Sequence, residues 1–234
     1  MSNIIECRNL SKDYEDVRAL NGVNLCIPDA GGIVGLLGPN GSGKTTLIKL
    51  LTGLLQPTEG NVEIAGKKIG VETKAIVSYL SDTHALTDTY TVAKQLDFFE
   101  EFFDDFDSEK AKKMISELGI KFKSKIKTLS KGTKEKLSLI FTLSRNARLF
   151  ILDEPIAGVD PAARDYVLRT ILTQKNANAT MLISTHLISE IEQYFDYVVF
   201  LKEGNVILEG KANEIKEREG KSIDELFREV FRWI

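Results

Sequence analysis

Gly38, Gly43, Lys44 and Thr45 stand at the spacing G-x-x-x-x-G-K-T. Those residue types at that spacing hold a phosphate chain. Glycines let consecutive backbone N–H groups turn inward with no Cβ in the way. The helix expected next adds partial positive charge at its N-terminus. A lysine there reaches the outer phosphates, and the Thr45 hydroxyl can sit on Mg²⁺. The candidate phosphate-binding set is therefore Gly38, Pro39, Asn40, Gly41, Ser42, Gly43, Lys44, Thr45 and Thr46. A second constellation supports it. Leu149, Phe150, Ile151 and Leu152 are followed directly by Asp153, Glu154 and Pro155. A buried strand ending in two carboxylates delivers them to the C-terminal edge of a sheet, where α/β ligands bind. Asp153 is suited to holding Mg²⁺ through water, and Glu154 to polarising a water that attacks a terminal phosphate.

The elements that must position these groups are readable from periodicity. Ile33, Val34, Leu36 and Leu37 form an apolar run that predicts a buried strand leading into the loop. Lys44–Leu51 reads as the start of the helix that follows, with Leu47, Ile48, Leu50, Leu51, Leu54 and Leu55 on its apolar side and Pro57 as its stop. Upstream, residues 3–30 read as two strands, with Ile4, Ile5 and Cys7 in the first and Val23, Leu25 and Ile27 alternating in the second. Tyr14 is expected between them. Residues 61–64 and 75–80 read as further strands.

From about Thr83 to about Asn146, helical spacing replaces strand spacing. Phe98, Phe99, Phe102, Phe103 and Phe106 recur at three- and four-residue steps. Ala111–Leu118 is a further predicted helix, ended by Gly119, and Leu137–Ser144 is a third. Strands at 149–152, 180–184, 197–201 and 205–208 then alternate with helices at 162–173 and 187–194. That alternation predicts an α/β fold: a P-loop core with a mainly parallel sheet, an antiparallel β part near the N-terminus and an inserted α-helical subdomain. The expected organisation is one domain over 1–234, with a core formed by 1–82 and 147–234 and a helical insert over 83–146.

Composition narrows the class. The chain has 234 residues, 43% of them hydrophobic, enough for one substantial α/β domain. A net charge of −3 supplies no global basic field, so no nucleic-acid partner is expected. Cys7 and Cys26 lie in strand-like apolar stretches and read as small buried hydrophobes rather than a disulfide framework. The N-terminal residues lack a secretory pattern, and no run of 18 apolar residues exists, so a cytosolic nucleotide-handling protein is expected.

With these motifs in this order, the chain resembles the ATP-binding subunit of an ABC transporter along nearly its whole length. Tyr14 matches the aromatic residue that stacks on adenine in that family. Gly38–Thr46 matches the phosphate loop, and Leu149–Glu154 the strand that carries the metal-binding and catalytic carboxylates. Leu129, Ser130, Lys131, Gly132 and Thr133 stand where the family signature Leu-Ser-Gly-Gly-Gln belongs. Gly158, Val159 and Asp160 match the loop that crosses the dimer interface, and His186 the histidine that senses the γ-phosphate. The resemblance implies ATP and Mg²⁺ as ligands, with Glu154, His186 and Lys44 catalytic. It also implies a second ABC ATPase subunit, identical or not, and a separate transmembrane permease, with this chain peripheral on the cytoplasmic face of the membrane. Each ATP would lie between one phosphate loop and the other copy's Ser130 and Gly132.

The sequence departs from the family at two places. Lys131 and Thr133 replace the first glycine and the glutamine of the signature. An ammonium at Lys131 either approaches the opposing γ-phosphate or joins a solvated face, since lysines recur from 121 to 136. Ser81 and Asp82 replace the usual Pro-Gln, and Asp82 retains an oxygen ligand for Mg²⁺ while adding a charge. Both changes resemble bacterial exporter ATPases linked to drug, antibiotic-peptide or bacitracin-type resistance. Long coiled-coil ABC ATPases of DNA repair and two-cassette translation proteins fit less well, because no sustained heptad run and only one phosphate loop are present. A nucleotide-dependent regulator with little turnover is the third rival.

Overall fold

The computed structural model describes residues 2–81, 86–156, 159, 161–174 and 178–232. Asp82, His84, Gly158 and Asp160 lie outside the described residues. The chain opens with β1 (Asn3–Tyr14) and β2 (Val17–Pro28), an antiparallel pair in which Cys7 faces Leu25 and Glu6 faces Cys26. Tyr14 is thus the last residue of β1 rather than part of a connection. Leu20, Val23, Leu25 and Ile27 of β2 point inward. Cys7 is buried, and burial pushes its thiol pKa up to about 12; Cys26 is exposed, against the sequence expectation, because its strand alternates and it falls on the outer face.

β3 (Gly32–Leu37) runs into the loop at 38–43 and then into α1 (Lys44–Leu51). This helix stops well before Pro57. Thr52 closes it, Gly53 turns left-handed (φ 71°), and the N–H groups of Leu54 and Leu55 both return to the Lys49 carbonyl. Leu54, expected on the apolar side of the helix, is therefore 62% exposed. β4 (Glu59–Ile64) and β5 (Lys67–Lys68) complete a four-stranded sheet in the order β2-β1-β4-β5. The first two residues of the expected strand at 75–80 are helical: α2 (Val71–Ile76) precedes β6 (Val77–Leu80). The Thr73 hydroxyl accepts from Gly70 N–H and donates to Gly70 C=O, which starts the helix where apolar runs alone suggest a strand.

Three helices follow. α3 (Val92–Phe102) is capped by Thr91, α4 (Ser108–Glu117) by Asp107, and α5 (Lys131–Leu143) by Ser130, each side chain accepting an N–H from the first turn. Such caps contribute about 1 kcal/mol each. The cap at Ser130 explains why α5 begins six residues before the apolar run at Leu137. These helices bury their own apolar cluster, including Val92, Leu96, Met114, Ile115, Ile140 and Phe141. Phe99 stacks on Phe141 with centroids 4.7 Å apart. Phe98 and Phe102 stack on each other at 5.6 Å but face outward, Phe102 being 67% exposed.

The remaining elements are β7 (Leu149–Asp153), α6 (Pro161–Gln174), β8 (Thr180–Thr185), α7 (Ile188–Ile191), β9 (Tyr197–Lys202), β10 (Asn205–Lys211), α8 (Ala212–Glu219) and α9 (Ile223–Val230). The second sheet has the order β10-β9-β3-β8-β7-β6 and is parallel except for the β9–β10 hairpin. Its two faces belong to two apolar clusters. Phe150, Leu152 and Ile183 face one side with α9, and Ile151, Leu182 and Val199 face the other with α1 and the antiparallel sheet. The predicted α/β class holds. α9 docks on its own domain, with Phe227 and Phe231 against Phe200. Because β3, β6, β7 and β8 are parallel, their C-terminal ends meet at one edge of the sheet. No helix among the described residues is long and apolar enough to cross a membrane.

Candidate active site

The loop after β3 is wedged between two backbones. A Cβ on Gly38 would meet the Leu201 carbonyl at 2.3 Å, and one on Gly43 would meet the Ala19 carbonyl at 2.6 Å. Gly43 also has φ 107°, a conformation that disfavours any side chain. The β9–β10 turn locks the loop from behind, with Gly204 N–H donating to the Ser42 carbonyl at 2.9 Å. No side chain caps α1. The first-turn N–H groups of such a helix have no intrahelical partner and favour an anion.

Lys44 is 7% exposed, and its ammonium donates to the carbonyls of Gly38 (2.7 Å) and Pro39 (3.1 Å). Burial lowers its pKa from the ordinary lysine value, while Glu154 and Asp153 oppose that shift. A cleft of about 660 Å³ opens over the loop. Asn40, Gly41, Gly43, Lys44, Thr45 and Thr46 line it, together with Asp153 and Glu154 from across the sheet edge. The two motifs that sequence spacing singles out separately therefore share one cavity.

Asp153 is 3% exposed at the end of β7. Its Oδ1 accepts from the Ser184 hydroxyl at 2.5 Å. Glu154 turns left-handed (φ 49°), and its N–H donates to both the carbonyl (3.1 Å) and the hydroxyl (2.9 Å) of Ser184. That turn brings Glu154 Oε2 to 2.9 Å from Nδ1 of His186, the residue just after β8. β8 lies between β3 and β7 in the sheet, so His186 emerges between the loop and the carboxylates. A smaller cleft on the other side of Glu154 is lined by Ser81, Glu135 and Ser138, which brings α5 and the end of β6 beside the same carboxylate.

Other candidates lie apart. Ser130 and Gly132 are exposed at the start of α5 and form no part of the cleft wall. A Cβ on Gly132 would meet nothing within 4 Å. The Lys131 side chain is 79% exposed, with Glu135 at 3.9 Å. Tyr14 is exposed at the rim, paired across the hairpin with Val17, which does line the cleft. Sequence reasoning missed three groups. Arg18 lines the cleft while its guanidinium is gripped by both oxygens of Asp13 (2.8 and 3.0 Å), and Glu203 lines it from the β9–β10 turn. Neither carries a sequence signal. Ser184 does carry one: a hydroxyl that ends the apolar run Met181, Leu182 and Ile183, two residues before His186.

Comparison with known proteins agrees with this geometry. The sequence profile of the family described as ABC transporter matches residues 20–157. The chain is 32% identical to the lantibiotic transport ATP-binding protein SrtF of Streptococcus pyogenes, over 96% of each chain. It is 31% identical to the Nod factor export ATP-binding protein I of Burkholderia orbicola, over 92% of this chain and 73% of that protein. Among solved structures, an ATP-binding subunit of an ABC transporter superposes with a TM-score of 0.87 at 30% identity, covering 97% of this chain and 99% of that one. The ADP conformation of the ATP-binding cassette MJ1267 superposes with a TM-score of 0.77 at 26% identity over all of both chains. The matched stretch runs from β2 through the loop to the paired carboxylates, and the chain belongs to the ABC transporter family as an ATP-binding subunit that hydrolyses ATP.

Proposed function

We propose that the subunit powers a separate transmembrane permease that exports drugs, peptides or lipids, through ATP-driven head-to-tail dimerisation. One observation carries the dimer: Lys44, Thr45, Asp153 and Glu154 share a cleft from which Ser130 and Gly132 are absent. A signature that does not reach its own loop completes the site from a second copy. Exporter function draws on SrtF and the Nod factor protein, whose names describe transport and export. The permease would rest against the groove lined by Leu54, Tyr79, Phe102 and Phe103, where the exposed aromatic pair meets the core. In this reading residues 1–82 and 147–234 form the nucleotide-binding core and 83–146 the helical part that meets the permease, at the cytoplasmic face of the membrane.

The geometry supports the following roles. Lys44 neutralises the outer phosphates, releasing the loop carbonyls that now hold it. Glu154 accepts the proton of the attacking water, and His186 fixes the orientation of that carboxylate. Tyr14 offers a ring face to the base from the rim. The donor set fits Mg²⁺. Among the described residues no cluster of three His, Cys, Asp or Glu side chains could cage a metal alone. Mg²⁺ is held in nucleotide sites by one or two protein oxygens plus phosphates, and the Thr45 hydroxyl and the Asp153 carboxylate supply those oxygens. Asp82 is the third proposed ligand. When bound, the metal neutralises charge on the β- and γ-phosphates.

The test is Glu154→Gln, which keeps the cleft but removes the base. With ATP it elutes as a stable dimer in size-exclusion chromatography, and without ATP as a monomer. An ATP-loaded monomer rejects head-to-tail dimerisation.

A further inference from the structure

We infer that Ser184 is a positioning residue for both strand-end carboxylates and sets the affinity of the nucleotide-bound divalent cation. The inference rests on the ATP–Mg²⁺ reading of the cleft. Ser184 is fully buried, and in the parallel β7–β8 register it stands opposite Asp153. Its hydroxyl oxygen accepts the N–H of Glu154 at 2.9 Å. Its single hydrogen then goes to Asp153 Oδ1, at 2.5 Å, within the short range of hydrogen bonds to ionised carboxylates. One side chain thus engages the last residue of the neighbouring strand and the residue after it, the carboxylate of one and the backbone of the other.

Two further observations separate this from ordinary core satisfaction. Ser42, Ser138, Ser144 and Thr180 are also buried, and their hydroxyls have no protein partner among the described residues. Full use of a buried hydroxyl is therefore not general in this fold. The second is the left-handed Glu154, a conformation that costs a side-chain-bearing residue energy unless its surroundings hold it. The Ser184 hydroxyl holds that turn, and the turn aims Glu154 at His186. With alanine at 184, the backbone bond from Glu154 N–H to the Ser184 carbonyl persists, but the Asp153 carboxylate loses a donor that fixes its rotation. Outer partners of this kind govern metal affinity more than nucleotide affinity.

The experiment is a Mn²⁺ titration followed by electron paramagnetic resonance, on the protein with a non-hydrolysable ATP analogue. It reads metal binding without turnover. Ser184→Ala is expected to bind Mn²⁺ about 10- to 100-fold more weakly, while metal-free analogue binding changes less than about twofold. Ser184→Thr, which keeps the hydroxyl and suits a strand, retains the wild-type Mn²⁺ affinity. Ser184→Cys, close in volume but a poor donor, behaves like alanine and carries the test if the alanine variant does not fold. Wild-type Mn²⁺ affinity in the alanine or cysteine variant, with only a lower melting temperature, overturns the inference. Failure of the wild-type protein to form any Mn²⁺–nucleotide complex instead overturns the ATP–Mg²⁺ reading beneath it.

Discussion

Nδ1 of His186 stands 2.9 Å from Oε2 of Glu154, joining the residue after β8 to the residue after β7. Neither side chain belongs to the phosphate loop, and in the proposed mechanism the contact orients the base. His186→Ala is expected to lower kcat about 100-fold through lost orientation of the base, with ATP affinity changed less than about threefold. Rapid-quench turnover set beside equilibrium binding of a fluorescent ATP analogue separates the two effects. A fall in affinity equal to the fall in rate would assign His186 to binding instead.

Lys44 gives the site a distinct alkaline limit. Burial lowers its pKa below the ordinary lysine value, so it loses charge before exposed lysines do. ATP affinity therefore falls as pH rises through the Lys44 pKa, which lies below 10.5. Folding stability moves the other way. Between the folded and unfolded pKa values the unfolded chain binds the extra proton, and Lys44's contribution to stability rises with pH. Lys44→Ala loses hydrolysis and about 100-fold or more in ATP affinity, and both pH trends weaken in it. Isothermal titration and urea melts between pH 7 and about 10.5 check the pair.

Two loop glycines separate strain from collision. Gly43 combines φ 107° with a carbonyl at 2.6 Å from any added Cβ, whereas Gly41 has φ 80° and open space. Gly41→Ala is expected to cost about 1 kcal/mol and Gly43→Ala about 3 kcal/mol or more, because the second also displaces the β2 backbone. Urea midpoints measured in parallel give the ranking. Equal losses would mean that the contact with Ala19 relaxes freely.

Phe98 and Phe102 form a stacked pair at the surface, both partly in water. Replacing both with serine is expected to cost the isolated subunit about 2–3 kcal/mol through lost ring contacts while leaving its ATPase rate unchanged. Co-purification of an integral membrane subunit from detergent extracts is expected to be lost. Retained co-purification moves the permease contact elsewhere.

The site's chemistry was more legible in the sequence than its assembly. Glycine spacing and the paired carboxylates are local patterns, and each locates its own residues. That β8 inserts between β3 and β7 is a matter of sheet order, which no local pattern records. Ser184 and its double contact were accordingly missed, as were Arg18 and Glu203. The same limit acts on helix ends. The start of α5 depends on the Ser130 cap rather than on apolar periodicity, and α2 depends on the hydroxyl of Thr73. Cys26 was misplaced on residue type alone, although the alternation of Val23, Leu25 and Ile27 leaves position 26 on the outer face.

Two main-chain hydrogen bonds link the phosphate loop through the β9–β10 turn to β2: Gly204 N–H to the Ser42 carbonyl, and Asn21 N–H to the Gly204 carbonyl. Main-chain bonds are indifferent to side-chain identity. The shape of the cradle therefore does not hang on a particular side chain at position 21 or 42, so far as these two bonds are concerned. A cradle already shaped also spends little of the nucleotide's binding energy on ordering itself. That leaves more of it to drive large movements elsewhere, which is what a motor subunit requires of its fuel site.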